Sequence, residues 1–483
     1  MTWSVLVRLI AHEWRRNRRR SWVTLTLILL SAATWTSVSF AQRRFAEKRE
    51  AYNELVRQRG EAQIAAKGRV IGRAKEVGLR LVRRPNPTGA FVLATEDALP
   101  AGWDFTPNGA EALPSYRVLI GQTDGDYWWT PEFLARIFLA GFALMLGLAG
   151  PLQDRSSGWI RALRAQPVAA RLLSAGRWAG GCLTLSVLIA VWLFVMTAVR
   201  SRESFGPTTV ELWILGIPAW LYAQGFLGLG IAIAHLATSE YRAWLVGLGT
   251  WLLLAVVGPI GLPVVIQILL PNASQSQFER GQRERYADAM REIETKIGKE
   301  LAARVTGATA ESANDLLTPA FASVERKWLD GIAEVRRDTD QTALQWQSVR
   351  AKQRNLLDRL DLVVPGALLN RAFGQLLGTG RQFAEQWEAL VRDRETMLAS
   401  RVFDDRPSAN LRVPVAGRTF GMSFERHDYL NFGDFPFSDP QTLSLFQRLK
   451  EASSSLGLLV FWMAATAIVA VWVEARALRS PLT

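Results

Sequence analysis

The stretch WVTLTLILLSAATWTSVSF, residues 22–40, runs for 19 residues without a charge. A helix of that length rises about 30 Å, the thickness of the hydrocarbon core of a bilayer. Arg15, Arg16, Arg18, Arg19 and Arg20 stand just before it. A secretory signal cleaved after Ala41 would have the same form, but the chain begins at Met1, so the run is read as a retained first span, 22–41. Further apolar runs follow at 133–152, 180–199, 212–236, 243–270 and 456–473. The expected fold is an all-α polytopic membrane protein of six transmembrane helices, with insertions at 42–130 and 271–455 on one side.

The composition agrees. The 483 residues are 49% hydrophobic and include 19 Trp and 22 Phe, concentrated in these runs and separated by charged stretches. That is the pattern of a membrane protein and not of a soluble chain with several domains. The net charge is +13, which raises nucleic acid as a partner. Its distribution argues otherwise. If the runs span a bilayer, segments 1–21, 151–178, 237–242 and 474–483 share one side and hold 14 Lys/Arg against 4 acidic residues. The rest of the chain carries 43 basic and 40 acidic residues. The surplus is a positive-inside signal, placing both termini in the cytoplasm and both insertions outside. The partner it implies is the lipid bilayer, with no nucleic acid.

Outward from the spans, residues 1–21 place Trp3, Leu6, Leu9, Ile10 and Trp14 at helical spacing, as an interfacial amphipathic helix would. Residues 42–80 read as a helix leaving the bilayer. Beyond it, Pro85, Pro87, Gly89, Pro100, Gly102, Pro107 and Gly109 interrupt β-like pieces such as Phe91-Val92-Leu93, so 42–130 is expected to be mixed α/β. Arg136 falls near the outer end of the second span, where a long side chain can snorkel. The fifth run, 243–270, is interrupted by Gly258-Pro259 and Gly261-Leu262-Pro263. It forms either one kinked, tilted helix or a helix ending near Val257 followed by a re-entrant piece, 259–270. In 271–455, apolar stripes over 278–305, 312–360 and 366–400 predict three packed helical regions. The stretch 405–445 reads as strands and loops, and 474–483 as a cytoplasmic tail.

Catalytic chemistry finds little support. Cys182 is the single cysteine, so no intrachain disulfide forms, and His12, His235 and His427 share no metal-ligand spacing. Asp404-Asp405, beside Arg401 and Arg406, reads as a solvated turn, and Asn272-Ala273-Ser274 matches a glycosylation sequon at chance level. No phosphate loop is present: Gly378-Thr379-Gly380-Arg381 is too short and lacks the lysine. The chain is therefore not expected to be an enzyme by itself, nor to bind a cofactor or metal.

The informative loop is 153–178. Asp154 precedes Gly158 by four; a helical stretch with Arg161 and Arg164 leads to Pro167-Val168; then come Arg171, Leu173, Gly176 and Arg177 at the mouth of the third span. Gly158 and Pro167 would bound a short helix lying along the membrane. This run resembles the cytoplasmic loop of ABC type-2 transporter permeases, with Ala169 and Ala170 where Ser and Arg are common and Arg177 where Lys is usual. The resemblance extends over Leu362–Leu369, Leu376–Gly380, Phe383–Arg392 and Asp434-Phe435-Pro436-Phe437, pointing to a subgroup with a long insert between its last two spans.

The resemblance implies the permease subunit of a bacterial ABC exporter in the inner membrane. Its partners would be a second permease chain, identical or homologous, and two copies of an ABC ATPase carrying ATP and Mg. Asp154, Gly158, Arg161, Arg164, Pro167, Arg171, Gly176 and Arg177 are then the ATPase-coupling residues. A rival reading is a non-transporting complex that passes ATP-driven motion through 271–455 to a periplasmic partner. The spans show no mid-span charge in an arrangement that marks a ligand.

Overall fold

In the computed structural model the described residues are 2–66, 79–86, 88–91, 99–106, 109–120, 129–158, 170–200, 207–272, 275–305, 310–361, 364–401, 410–415, 418–423 and 443–479. Helix α1, Thr2–Arg18, is followed after a short turn by α2, Ser21–Ala66. At 1.5 Å per residue α2 is about 70 Å long, roughly twice a hydrocarbon core. Its first half exposes Leu25, Ile28, Leu29 and Trp35, as a lipid-facing helix does. Its far half is held by local ion pairs of Arg57 with Glu54 and Glu61.

Five more helices are long and apolar enough to span a membrane: α3, Pro131–Ser156; α4, around Leu172–Arg200 within Ala170–Arg200; α5, Thr209–Leu236; α6, Glu240–Leu269; and α11, which begins at Leu445 and ends at Arg479. The protein is thus an all-α multi-pass membrane protein with six candidate spans. Helix α5 is the central one. A capping box of Thr208 and Glu211 opens it, and small residues bring its neighbours to backbone contact. Gly147 of α3 meets Gly230 of α5, their α-carbons within reach of each other's missing Cβ at 3.0 Å. A Cβ at Gly228 would come 2.9 Å from the backbone of Thr466 in α11. Without side chains in between, dispersion contacts between backbones hold helices that lipid would solvate equally well.

Helix α6 is continuous to Leu269, and the irregularity expected near Val257 is a π-helical turn, Leu252–Val257, ahead of Pro259 and Pro263. A second π turn, Ala135–Leu139, lies in α3.

The two insertions share a core. In the first, β1 (Leu79–Val82), β2 (Gly102–Thr106) and β3 (Gly109–Ala112) form an antiparallel meander with Arg80 opposite Asp104 and Leu81 opposite Trp103. Alternation sends Trp103 and Phe105 into the core, while Asp104 pairs with Arg80 at 2.6 Å. Phe91 lies in a 3-10 turn, Gly89–Phe91, and not in a strand; Val92 and Leu93 lie outside the described residues.

In the second insertion, α7 (Gln275–Val305) and α8 (Ala310–Asp361) pack side by side, with Phe278 stacked on Trp346 at 4.7 Å. The stripe over 366–400 is two helices, α9 (Pro365–Leu376) and α10 (Arg381–Arg401), because Gly378 turns the chain with φ +65°. Helix α9 is buried against the bundle, where a Cβ at Gly366 would come 2.7 Å from the ring of Pro259. On α10, Trp387 stacks on Trp103 of the first insertion, centroids 5.8 Å apart. A β-hairpin, β4 (Asn410–Val415) and β5 (Arg418–Ser423), completes the described part.

Candidate functional site: an ion-pair network at the ends of five helices

Helix α1 lies along the first turns of α4 in a shared four-residue step. Leu9 faces Gly176, Glu13 faces Gly180, and the Asn17 amide donates to the Thr184 hydroxyl at 3.4 Å. The two glycines matter because a Cβ at Gly180 would come 2.6 Å from the Cβ of Glu13, and one at Gly176 would come 2.8 Å from that of Leu9. This close approach brings the acids and bases of the basic segments together.

Arg177, 7% exposed, is the centre. Its guanidinium donates to Glu474 of α11 through Nη1 and to Asp154 of α3 through Nη2. Its Nε lies 3.9 Å from Glu13 of α1. The other carboxylate oxygen of Asp154 meets Arg16 of α1 at 2.8 Å, and Arg16 also donates to Gln153 at 3.0 Å. Glu474, 1% exposed, is also bonded by Ser174 and lies 3.5 Å from Nε2 of His235 at the end of α5. Arg155 donates to the carbonyl of Ala237 at 2.9 Å. Five helices, α1, α3, α4, α5 and α11, are thereby joined at one end of the bundle. Buried charges of this kind persist because each is paired, and removing one partner strands the other in a medium that cannot solvate it.

The structure places the expected coupling residues in two groups. Asp154, Gly176 and Arg177 are buried in the network and brace the two ends of the loop. Gly158 is exposed and ends α3 in the left-handed conformation, φ +72°, where glycine fits without strain. Arg171 lies in the first turn of α4, while Arg161, Arg164 and Pro167 lie outside the described residues. Sequence reasoning missed Glu13, Arg16, His235 and Glu474. A signal for them existed: of the 4 acidic residues in the basic segments, Glu13, Asp154 and Glu474 all reach Arg177.

The opposite end of the α5–α11 pair is also clamped. Arg448 of α11 pairs with Glu211 of α5 and donates to the carbonyl of Leu376 at the end of α9 at 3.0 Å. From the first insertion, Thr88 donates to the carbonyl of Leu377 at 2.7 Å and Asn86 to that of Gly378 at 3.4 Å. The second insertion is therefore seated on the helix pair that carries His235 and Glu474, and the first is bonded to the end of α9.

Arg136 does not snorkel. It is 2% exposed and turned into the bundle at the α3 π turn. There the hydroxyl of Tyr222 donates to the Arg136 carbonyl, and the indole of Trp251 to the Ile137 carbonyl, both at 3.0 Å. The widened turn disturbs the α-helical ladder, rotates the side chain and leaves carbonyls for side-chain donors.

Among the described residues no cluster of three or more His, Cys, Asp or Glu is arranged to hold a metal. Cys182 donates to Gln224 at 2.8 Å within the bundle. What the described residues do assemble is a set of charged links between helix ends. No curated protein and no solved structure matches the chain. The model of the ABC-2 family transporter proteins matches residues 7–473, nearly its whole length, and the chain belongs to that family, as a membrane permease component of an ABC transporter.

Proposed function

We propose that this chain is the transmembrane subunit of a bacterial ABC exporter and that it takes its drive from a separate ATPase through residues 154–177. Two permease chains, identical or homologous, pair with two ATPase subunits carrying ATP and Mg. Both termini and the loop face the cytoplasm of the inner membrane, and the insertions face outward, in line with the positive-inside charge bias. ATP binding draws the ATPases together, pushes on the loop and shifts the bundle between two conformations.

The observation that carries this reading is Arg177. It ties the mouth of the loop to α3 through Asp154 and to α11 through Glu474, so a displaced loop moves three helices at once. The test is ATP hydrolysis and assembly of the complex with its ATPase. Gly158→Pro, or Arg161→Glu with Arg164→Glu, is expected to weaken assembly or uncouple hydrolysis. Hydrolysis by the purified chain alone, abolished by a substitution within it, would overturn the reading.

A second reading is favoured by the clamps at both ends of the α5–α11 pair. A pair held by His235 and Glu474 at one end and by Glu211 and Arg448 at the other can act as a rod that moves the insertions. In that case 271–455 works on a periplasmic partner and nothing crosses the bilayer. Spin labels at the exposed Val118 and Leu344 separate the two readings when combined with a leak assay on sealed vesicles. ATP-dependent distance changes without any ATP-dependent flux favour the rod.

A further inference from the structure

Arg136 carries an inference that goes beyond coupling and does not depend on it. Its Nε and Nη2 are buried and meet no acceptor among the described residues. Both nitrogens are left without a hydrogen bond although Glu132, 1% exposed, stands one turn earlier on the same helix. The contact its guanidinium does make is with the ring of Phe133, 5.6 Å from the centroid. The polar groups nearby are already committed, Tyr222 to the Arg136 carbonyl and Trp251 to the Ile137 carbonyl. Those two side chains come from the middle of α5 and the middle third of α6, so the cation stands well inside the bundle and not at its rim.

A buried guanidinium without an acceptor is costly in a membrane protein, and such residues face ligand pathways or partner charges. Its planar fork fits an oxyanion better than any other group. A π turn lies in each of two of the surrounding helices, α3 and α6, an irregularity frequent at functional sites.

We propose that Arg136 is the receiving point of a binding site for a phosphate group, on a lipid or on a soluble molecule, held inside the bundle between α3, α5 and α6.

The test uses the full-length chain in nanodiscs of a phosphate-free diglycosyl diacylglycerol, alone, with added phosphatidylglycerol, or with inorganic phosphate in the buffer. Native mass spectrometry counts phosphate-bearing adducts on the wild type, Arg136→Gln and Arg136→Lys. The expected result is an adduct on the wild type that falls about tenfold in Arg136→Gln and is partly kept in Arg136→Lys. An Arg136→Gln thermal midpoint at or above that of the wild type shows that the fold is intact; Arg136→Met replaces that variant if the midpoint falls. An adduct seen with phosphatidylglycerol assigns a lipid headgroup, and one seen with inorganic phosphate in neutral lipid assigns a soluble ligand. Equal adducts on wild type and the uncharged variant, or none in either arm, overturn the proposal.

Discussion

Arg177 and Glu474 stand 297 positions apart in the sequence and form a buried ion pair, joining the first turns of α4 to the last turns of α11. Neither residue is distinctive alone. Together with Asp154, Glu13, Arg16 and His235 they make the helix ends around the loop a single charged joint.

The joint predicts strong non-additivity. Arg177→Met removes the cation shared by Glu474 and Asp154, leaving Asp154 only Arg16 and Glu474 only His235 nearby, and is expected to cost about 3–5 kcal/mol. Adding Glu474→Gln removes one stranded charge and should recover part of that loss. Thermal unfolding of the four variants of the cycle in detergent checks this. Additive effects of the two substitutions would mean that the pair is not coupled.

The seating of α1 predicts a sharp contrast between two glycines. Gly180→Ala puts a methyl against the Cβ of Glu13, at 2.6 Å before relaxation, so α1 has to shift, at about 1–3 kcal/mol. Gly249→Ala in α6 meets nothing within 4 Å and should leave stability unchanged. Hydrogen exchange over 2–18 reports the first as faster exchange of α1 and the second as no change. Equal protection in both variants would show that α1 is not held by this contact.

The shared core of the insertions predicts that they separate together. Trp387→Ala removes the ring stacked on Trp103 and should cost about 3–5 kcal/mol. Limited proteolysis should then open both 42–130 and 271–455, while the spans stay protected. Cleavage confined to the second insertion would refute a common core.

The proposed sidedness predicts a labelling pattern. In a Cys182→Ala background, a cysteine at the exposed Ser157 should react only with reagent admitted to the cytoplasmic side. One at the exposed Val118 or Leu344 should react from outside. External labelling at position 157 would reverse the topology.

The six spans and the basic segments were legible because each is a one-dimensional property. An apolar run either reaches about 30 Å or does not, and a charge count needs no fold. The family resemblance carried by 153–178 was legible for the same reason: Asp154, Gly158, Pro167 and Arg177 stand close together in the sequence. Local stripes likewise announced α7 and α8.

What the sequence could not determine is which helices stand side by side and how each is turned about its axis. Residues 13, 154, 235 and 474 meet only because glycines at 176 and 180 admit α1, and because α5 packs closely on both α3 and α11. The split of 366–400 depends on one positive φ at Gly378, and the burial of α9 on Gly366 finding Pro259. Arg136 looked like a snorkelling side chain because sequence position gives depth but not azimuth. A π turn, which no residue pattern announces, points it inward. The sequence by itself determined a six-span membrane protein with a charged side and a loop of permease form. Only the tertiary structure decided which charges pair, since pairing depends on lateral packing and rotation, which distance along the chain does not encode.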